Sequence, residues 1–169
     1  ESSQKAHWRN REEGQAFFSV FNFNVTHESR IWKNETTYSK EELDKVRIPD
    51  FFPEDDGIKS DFLTNYKNIE KLDQQIGVII AQLKADGLYD NTIIFFFSDH
   101  GGPFPHYKRS IYETGLRCPM VAKWNDDAWK GKTYQLVSFV DFAPTILDAA
   151  NIKREFPFEG VSFYKKDQR

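Results

Sequence analysis

The side chains best suited to chemistry are Asp99 and His100, which close the run Thr92-Ile-Ile-Phe-Phe-Phe-Ser-Asp-His-Gly-Gly102. A carboxylate beside an imidazole can hold a divalent cation, and the two glycines behind them let the backbone turn away without a side-chain clash. The same pair could do no more than cap and turn a strand, because Asp-His alone is a weak metal signal. His27 lies just past a second apolar run, residues 17–23, and His106, Lys108 and Arg109 follow the glycines. A histidine in such a loop is commonly a surface residue and a basic turn is commonly solvated. Lys108 would line the mouth above the strand end, and Arg109 beside it could pair with Glu113.

For these residues to act together, regular elements must bring them to one edge. Residues 92–98 read as a strand buried on both faces of a parallel α/β sheet, and ligands in such sheets bind at the carboxyl ends of the strands. Residues 17–23 predict a neighbouring strand ending near His27, and Met120–Lys123 a third. A helix is predicted over 60–85. Phe62, Tyr66, Ile69, Leu72, Ile76, Ile79, Ile80 and Leu83 recur at steps of three and four, and Gly87 supplies a stop. It should pack on the sheet through Ile69, Leu72, Ile76 and Ile80. Gly77 inside it costs about 1 kcal/mol against alanine, so a close helix-to-sheet approach is expected there. Asp141 is expected to cap a helix over 143–150, with Pro144 tolerated in its first turn.

The rest of the chain is less informative. Residues 1–15 read as loop or short helix, 33–59 as a long connection serving as a binding loop, a lid or a solvated excursion, and the tail past Asn151 as loop and charge. Cys118, the only cysteine, excludes an internal disulfide and reads as a buried, inert thiol. With 39% hydrophobic and 29% charged residues, the 169-residue chain can bury one core of ordinary size, as one domain or part of one. A net charge of −3 with interspersed signs gives no case for a nucleic-acid partner. No apolar run approaches the ~18 residues of a membrane span, and no signal peptide opens the chain. Asn24 and Asn34 begin N-glycosylation sequons.

Ser98-Asp99-His100-Gly101, followed by Lys108-Arg109-Ser110-Ile111-Tyr112-Glu113-Thr114-Gly115-Leu116-Arg117-Cys118-Pro119, resembles the C-terminal half of the type I sulfatase catalytic domain. In that family, part of the alkaline phosphatase superfamily, a strand ends in Ser-Asp-His-Gly or Asp-Asn-Gly. A lysine follows in the next loop, and Tyr-(Asp/Glu)-x-Gly-x-x-x-Pro leads into the next strand. Leu72-Asp73-Gln74-Gln75-Ile76-Gly77, Asp90-Asn91-Thr92-Ile93 and Val140-Asp141-Phe142-Ala143-Pro144-Thr145 are also similar to family segments, in the family's order. The resemblance covers a core of about 16–163.

This resemblance implies an α/β fold with a mixed, largely parallel sheet sandwiched by helices. It implies hydrolysis of a sulfate ester or sulfamate, often of sulfated polysaccharides, by a formylglycine nucleophile beside Ca²⁺, with Mg²⁺ as the other candidate. Carried over by position, Asp99 and His100 are metal ligands, His100 standing where many relatives have asparagine. His27 and Lys108 hold the sulfate as catalytic and substrate-binding residues, and His27 can protonate the leaving oxygen. The partner is a sulfated small molecule or carbohydrate, and the location is periplasmic, secreted or lysosomal. The family's Cys/Ser-x-Pro-x-Arg nucleophile motif and paired aspartates are not in these residues, and Cys118 does not qualify. Residues 1–169 are therefore expected to be a partial catalytic domain without its N-terminal half, inactive alone. A non-catalytic sulfatase-like binding module and a phosphoesterase or phosphonate hydrolase of the same superfamily are the rival readings.

Overall fold

The computed structural model describes residues 7–125, 131–153 and 155–164. Contacts divide the chain into two compact units, Glu1–Asn91 with Phe95–Val121 and Thr92–Ile94 with Ala122–Arg169. The described elements are α1 (Ser29–Trp32), α2 (Lys40–Asp44), α3 (Asp56–Ala85), β1 (Ile94–Phe97), α4 (Glu113–Leu116), β2 (Met120–Lys123) and α5 (Phe142–Ala149), with 3-10 turns at Trp8–Asn10 and Phe139–Asp141. This is an α/β arrangement in which β1 and β2 form a two-stranded sheet. The amide of Ser98, just past β1, donates to the carbonyl of Pro119, just before β2, at 3.4 Å. The end of one strand thus lies beside the start of the other, the sense of an antiparallel pair.

The first unit is built on α3, the 30-residue helix. It starts four residues before the predicted Ser60, because the Asp55 carboxylate accepts from the amides of Gly57 and Ile58 and so caps two orphan donors. Its end is the predicted one. Gly87 takes φ +68°, its amide reaches Lys84, and Leu88 reaches Leu83, which together close a Schellman motif. Just before that motif, Asp86 accepts from Trp8 Nε1 at 2.7 Å and from both Nε and Nη2 of Arg9 at 2.7 and 3.0 Å. The N-terminal 3-10 turn is thereby tied down, with Trp8 buried. Residues before His7 lie outside the described ones.

The helix fully buries only Phe62 and Leu83 of the stripe its periodicity selects, and not the predicted sheet-facing positions. Ile69 is 47% exposed, and Leu72, Ile76 and Ile80 are half-exposed. The buried positions are Phe62, Thr64, Asn65, Asn68 and Leu83. What lies on the first half of α3 is the 31–46 segment, whose Ile31, Leu43 and Val46 are buried. Asn34 Nδ2 and Tyr38 Oη meet Thr64 Oγ1 at 2.9 and 3.0 Å, and Lys67 reaches Glu42 while lying over the Tyr38 ring. The 33–59 connection therefore contains a helix. Ser39 and Glu42 form a complete capping box for α2.

Two more expectations fail for one reason, the small number of paired strands. Residues 17–23 belong to no strand, since an extended segment becomes one only by sharing ladder hydrogen bonds with a neighbour. For the same reason β1 is half-buried, not buried on both faces, and Phe97 is 43% exposed. Gly77 lies exposed with nothing within 4 Å of where a Cβ would stand, so no close helix-to-sheet approach explains it.

In the second unit Asp141 stands at the N-cap position of α5, yet its carboxylate does not cap that helix. Its two oxygens are taken by the amides of Ser138 and Val161, each at 2.8 Å. Buried Thr145 donates to the Asp141 carbonyl and accepts from the Phe163 amide. The stretch around Ser162 and Phe163 is thus docked on α5, although it forms no regular element; residues 165–169 lie outside the described ones. Pro144 sits in the first turn of α5, as predicted.

Candidate functional site

The loop after β1 is held in place by close backbone approaches. Gly101 donates its amide to Gly115, and a Cβ at Gly101 would run into the Thr114 carbonyl. The loop then returns, the Lys108 amide donating to the Gly102 carbonyl at 3.1 Å. Phe104 lies flat on Phe62 of α3, and the Thr114 hydroxyl donates to the His106 carbonyl. His106 and Arg109 both adopt left-handed φ, 67° and 63°, an uncommon backbone for residues with side chains. The result is a tight coil whose last turn presents Lys108 and Arg109.

Facing them is the turn that leads into α1. The His27 amide donates to Asn24, and the Arg30 amide to His27. His27 Nε2 lies 3.3 Å from Lys108 Nζ, a contact between residues 81 apart. Its Nδ1 lies 2.9 Å from Ser29 Oγ. The Ser29 amide also points to Nδ1, at 3.3 Å, so a donor stands against each ring nitrogen, and the tautomer decides whether Nδ1 accepts from Ser29 or Nε2 accepts from Lys108.

Glu28 completes the cluster and is the residue sequence reasoning missed. It is 6% exposed. Its Oε1 accepts from Lys108 Nζ at 3.2 Å and from Arg109 Nη2 at 2.9 Å. Burial pushes its carboxyl up; the hydrogen bond from Lys108 and the charge of Arg109 outweigh it and hold the group below its ordinary value. Arg109 is thus paired with Glu28 and not with Glu113, whose carboxylate takes Arg117 instead. No local pattern marks Glu28, because its partners Lys108 and Arg109 lie far along the chain, Arg109 81 residues away.

Asp99 and His100 sit at the start of the same coil. Asp99 is exposed, and its Oδ1 lies 3.6 Å from His100 Nε2. His100 Nδ1 is 2.7 Å from the Gly101 carbonyl. A proton on Nδ1 serves that carbonyl and leaves the Nε2 lone pair available, the usual orientation of a metal-binding histidine. These donors suit part of a cation site only: Ca²⁺ takes about six to eight oxygens, and no cluster of three or more metal-binding side chains occurs among the described residues. Neither residue bonds to His27 or Lys108; the link between the two pairs is the Lys108–Gly102 backbone bond. Cys118 is half-buried where burial was expected, and its thiol and amide both point to the Leu116 carbonyl, at 3.6 and 3.1 Å.

Beside the coil runs a groove of about 360 Å³ lined by Arg47, Phe62, Asn65, Tyr66, Phe104 and Tyr107 together with Ile48, Pro49 and Gly102. Burial and the neighbouring Tyr66 push the Tyr107 phenol up. The wall of the groove at 47–49 comes from the 33–59 connection.

A sulfatase family profile matches residues 4–152. An ulvan-active sulfatase of Formosa agariphila is 39% identical over 208 aligned positions, covering 100% of this chain and 35% of the relative. A sulfatase of Escherichia coli named YdeN is 39% identical over 57% of this chain and 20% of its own length. The N-sulphoglucosamine sulphohydrolase of Homo sapiens is 30% identical over 61% of this chain and 21% of its own. The chain thus spans about a third or less of the length of these relatives.

Proposed function

Because the chain belongs to the sulfatase family, we propose that it supplies the part of a sulfuric ester hydrolase that grips the sulfate of a sulfated glycan and one side of a cation. The observation that carries this reading is the contact of His27 with Lys108 across 81 residues, on the coil that begins with Asp99 and His100. An ammonium and an imidazole at one point suit a tetrahedral anion, and their charge offsets the charge that grows on a departing oxygen. His27 would give the proton that this oxygen needs. Asp99 and His100 would ligate the cation, Ca²⁺ or Mg²⁺, which when bound polarises the sulfate oxygens. The formylglycine nucleophile and the remaining ligands would come from residues other than these.

The substrate class rests on the relatives and the groove together. One relative acts on ulvan and another is named for N-sulphoglucosamine. Tyr66, Phe104 and Tyr107 offer aromatic faces, and Arg47 offers a cation for an acidic sugar. In the whole protein the sheet would be mixed and largely parallel with helices on both faces, residues 1–169 being part of one catalytic domain. A sulfated substrate of this kind fits a periplasmic, secreted or lysosomal location. Among the described residues no helix is long and apolar enough to cross a membrane.

The test is to titrate sodium sulfate into the 169-residue chain while following the side-chain nitrogens of His27 and Lys108 by NMR. Both should shift on one binding curve, and Lys108→Ala should weaken binding at least tenfold. Binding unaffected by both Lys108→Ala and His27→Ala would sink the reading.

A further inference from the structure

We propose that Glu28 is a positioning residue: from beneath the surface it clamps Lys108 and Arg109 into a two-cation cradle, and Arg109 is a second contact to the bound sulfate. This deepens the reading of His27 and Lys108 as sulfate contacts and rests on it. The geometry supports it through a count of donors. Lys108 has three N–H bonds; one points to Glu28 Oε1 at 3.2 Å and, in the tautomer whose lone pair is on Nε2, one to His27 at 3.3 Å, which leaves one for an anion. An ammonium fixed at two corners directs its third bond, whereas a free lysine spends rotamer entropy to do so. Arg109 gives Nη2 to the same carboxylate oxygen at 2.9 Å, while its side chain stays 72% exposed, leaving its other N–H bonds open to an anion at the surface.

Two further observations set this apart from an ordinary surface ion pair. Glu28 is 6% exposed, so its carboxylate is covered where it meets the two cations. Arg109 holds φ at 63°, a backbone conformation that a residue with a side chain adopts only when its surroundings impose it. The bond to Glu28 is one such constraint. One carboxylate against two cations leaves the cluster with a single net positive charge while His27 is neutral, enough to attract an oxyanion and fixed in place before it arrives.

Removing the Glu28 charge has opposite consequences under the two accounts of it. As a mere counter-charge it competes with sulfate, and Glu28→Gln should tighten binding. As a clamp it should, when lost, weaken binding despite the added positive charge. The experiment measures sodium sulfate affinity by calorimetry for the wild-type chain, Glu28→Gln, Arg109→Ala and Lys108→Ala, with the Lys108 ammonium signal followed by ¹⁵N NMR. The expected result is a fivefold or greater loss for Glu28→Gln and for Arg109→Ala, with the Lys108 ammonium losing its slow hydrogen exchange in Glu28→Gln. Equal or tighter binding by Glu28→Gln, while Lys108→Ala binds poorly, overturns the clamp and leaves the sulfate reading standing. Indifference to Lys108→Ala overturns both. Should Glu28→Gln not fold, the wild-type spectrum decides: a Lys108 ammonium in fast exchange, like a solvated lysine, rejects the clamp, and a protected one supports it.

Discussion

Phe104, seven residues past the end of a strand, lies face to face with Phe62 of the long helix, their ring centroids 3.9 Å apart and their planes 7° from parallel. Phe62 is buried and Phe104 half-buried, so this stack is the firmest point at which the coil bearing Asp99, His100 and Lys108 meets α3. Phe104→Ala should therefore cost about 2–3 kcal/mol, below the full range for a buried ring, and should loosen Lys108 as well. Urea denaturation with the sulfate titration checks both. A stability loss with unchanged sulfate affinity would show that the coil holds its shape without the stack.

Gly101→Ala should act on the same coil from its other side. The added methyl would run into the Thr114 carbonyl, which belongs to backbone and cannot swing aside. A cost of about 1–3 kcal/mol is expected, with the Gly101–Gly115 bond lengthened. Amide hydrogen exchange at Gly101 should rise well beyond that at a distant control such as Leu88.

The acid limb of stability should carry the mark of Glu28. Its carboxyl titrates lower in the folded chain than in the unfolded one, so the unfolded state takes up the proton first as pH falls. Its contribution is whole above the ordinary glutamate range and disappears as pH drops through the lowered folded value. Glu28→Gln should reduce stability at pH 7 and flatten the decline between pH 7 and 3, as thermal melts across that window would reveal.

How much of this was legible beforehand depends on whether the cause was local. The end of α3 was readable at Gly87 because its left-handed turn is written in one residue, whereas the short helix that Ser39 and Glu42 cap was not read within the 33–59 connection. β1 and β2 were readable as apolar runs. The fate of 17–23 was not, since a strand depends on a partner that its own residues do not specify. Nor was the buried face of α3, where the apolar stripe through Ile69 is exposed while polar Thr64, Asn65 and Asn68 are covered. In the site, His27, Lys108 and Asp99 stood out by chemistry and resemblance; Glu28 gained its meaning only from two cations folded onto it.

Calcium should bind this chain weakly. Asp99 and His100 offer one carboxylate and one imidazole, far short of the coordination Ca²⁺ takes. Calorimetry should give a millimolar or weaker affinity that Asp99→Ala removes, and the 169 residues alone should show no turnover of an aryl sulfate. Turnover abolished by Asp99→Ala would require a nucleophile within these residues.

The bond between His27 and Lys108 also sets an order of events as the chain emerges from the ribosome. It closes a loop of 81 residues, and such long-range closures form late and slowly compared with local turns. Between its two ends lies α3, capped at the front by Asp55 and at the back by Gly87, which can form as soon as it is synthesised. The residues of α3 are therefore all in place before Lys108 is added, and until Lys108 and Arg109 are added Glu28 has neither of its cations. The carboxylate that ends up buried starts out solvated, and it is drawn inward only when the coil after β1 arrives with the charge that makes its burial tolerable.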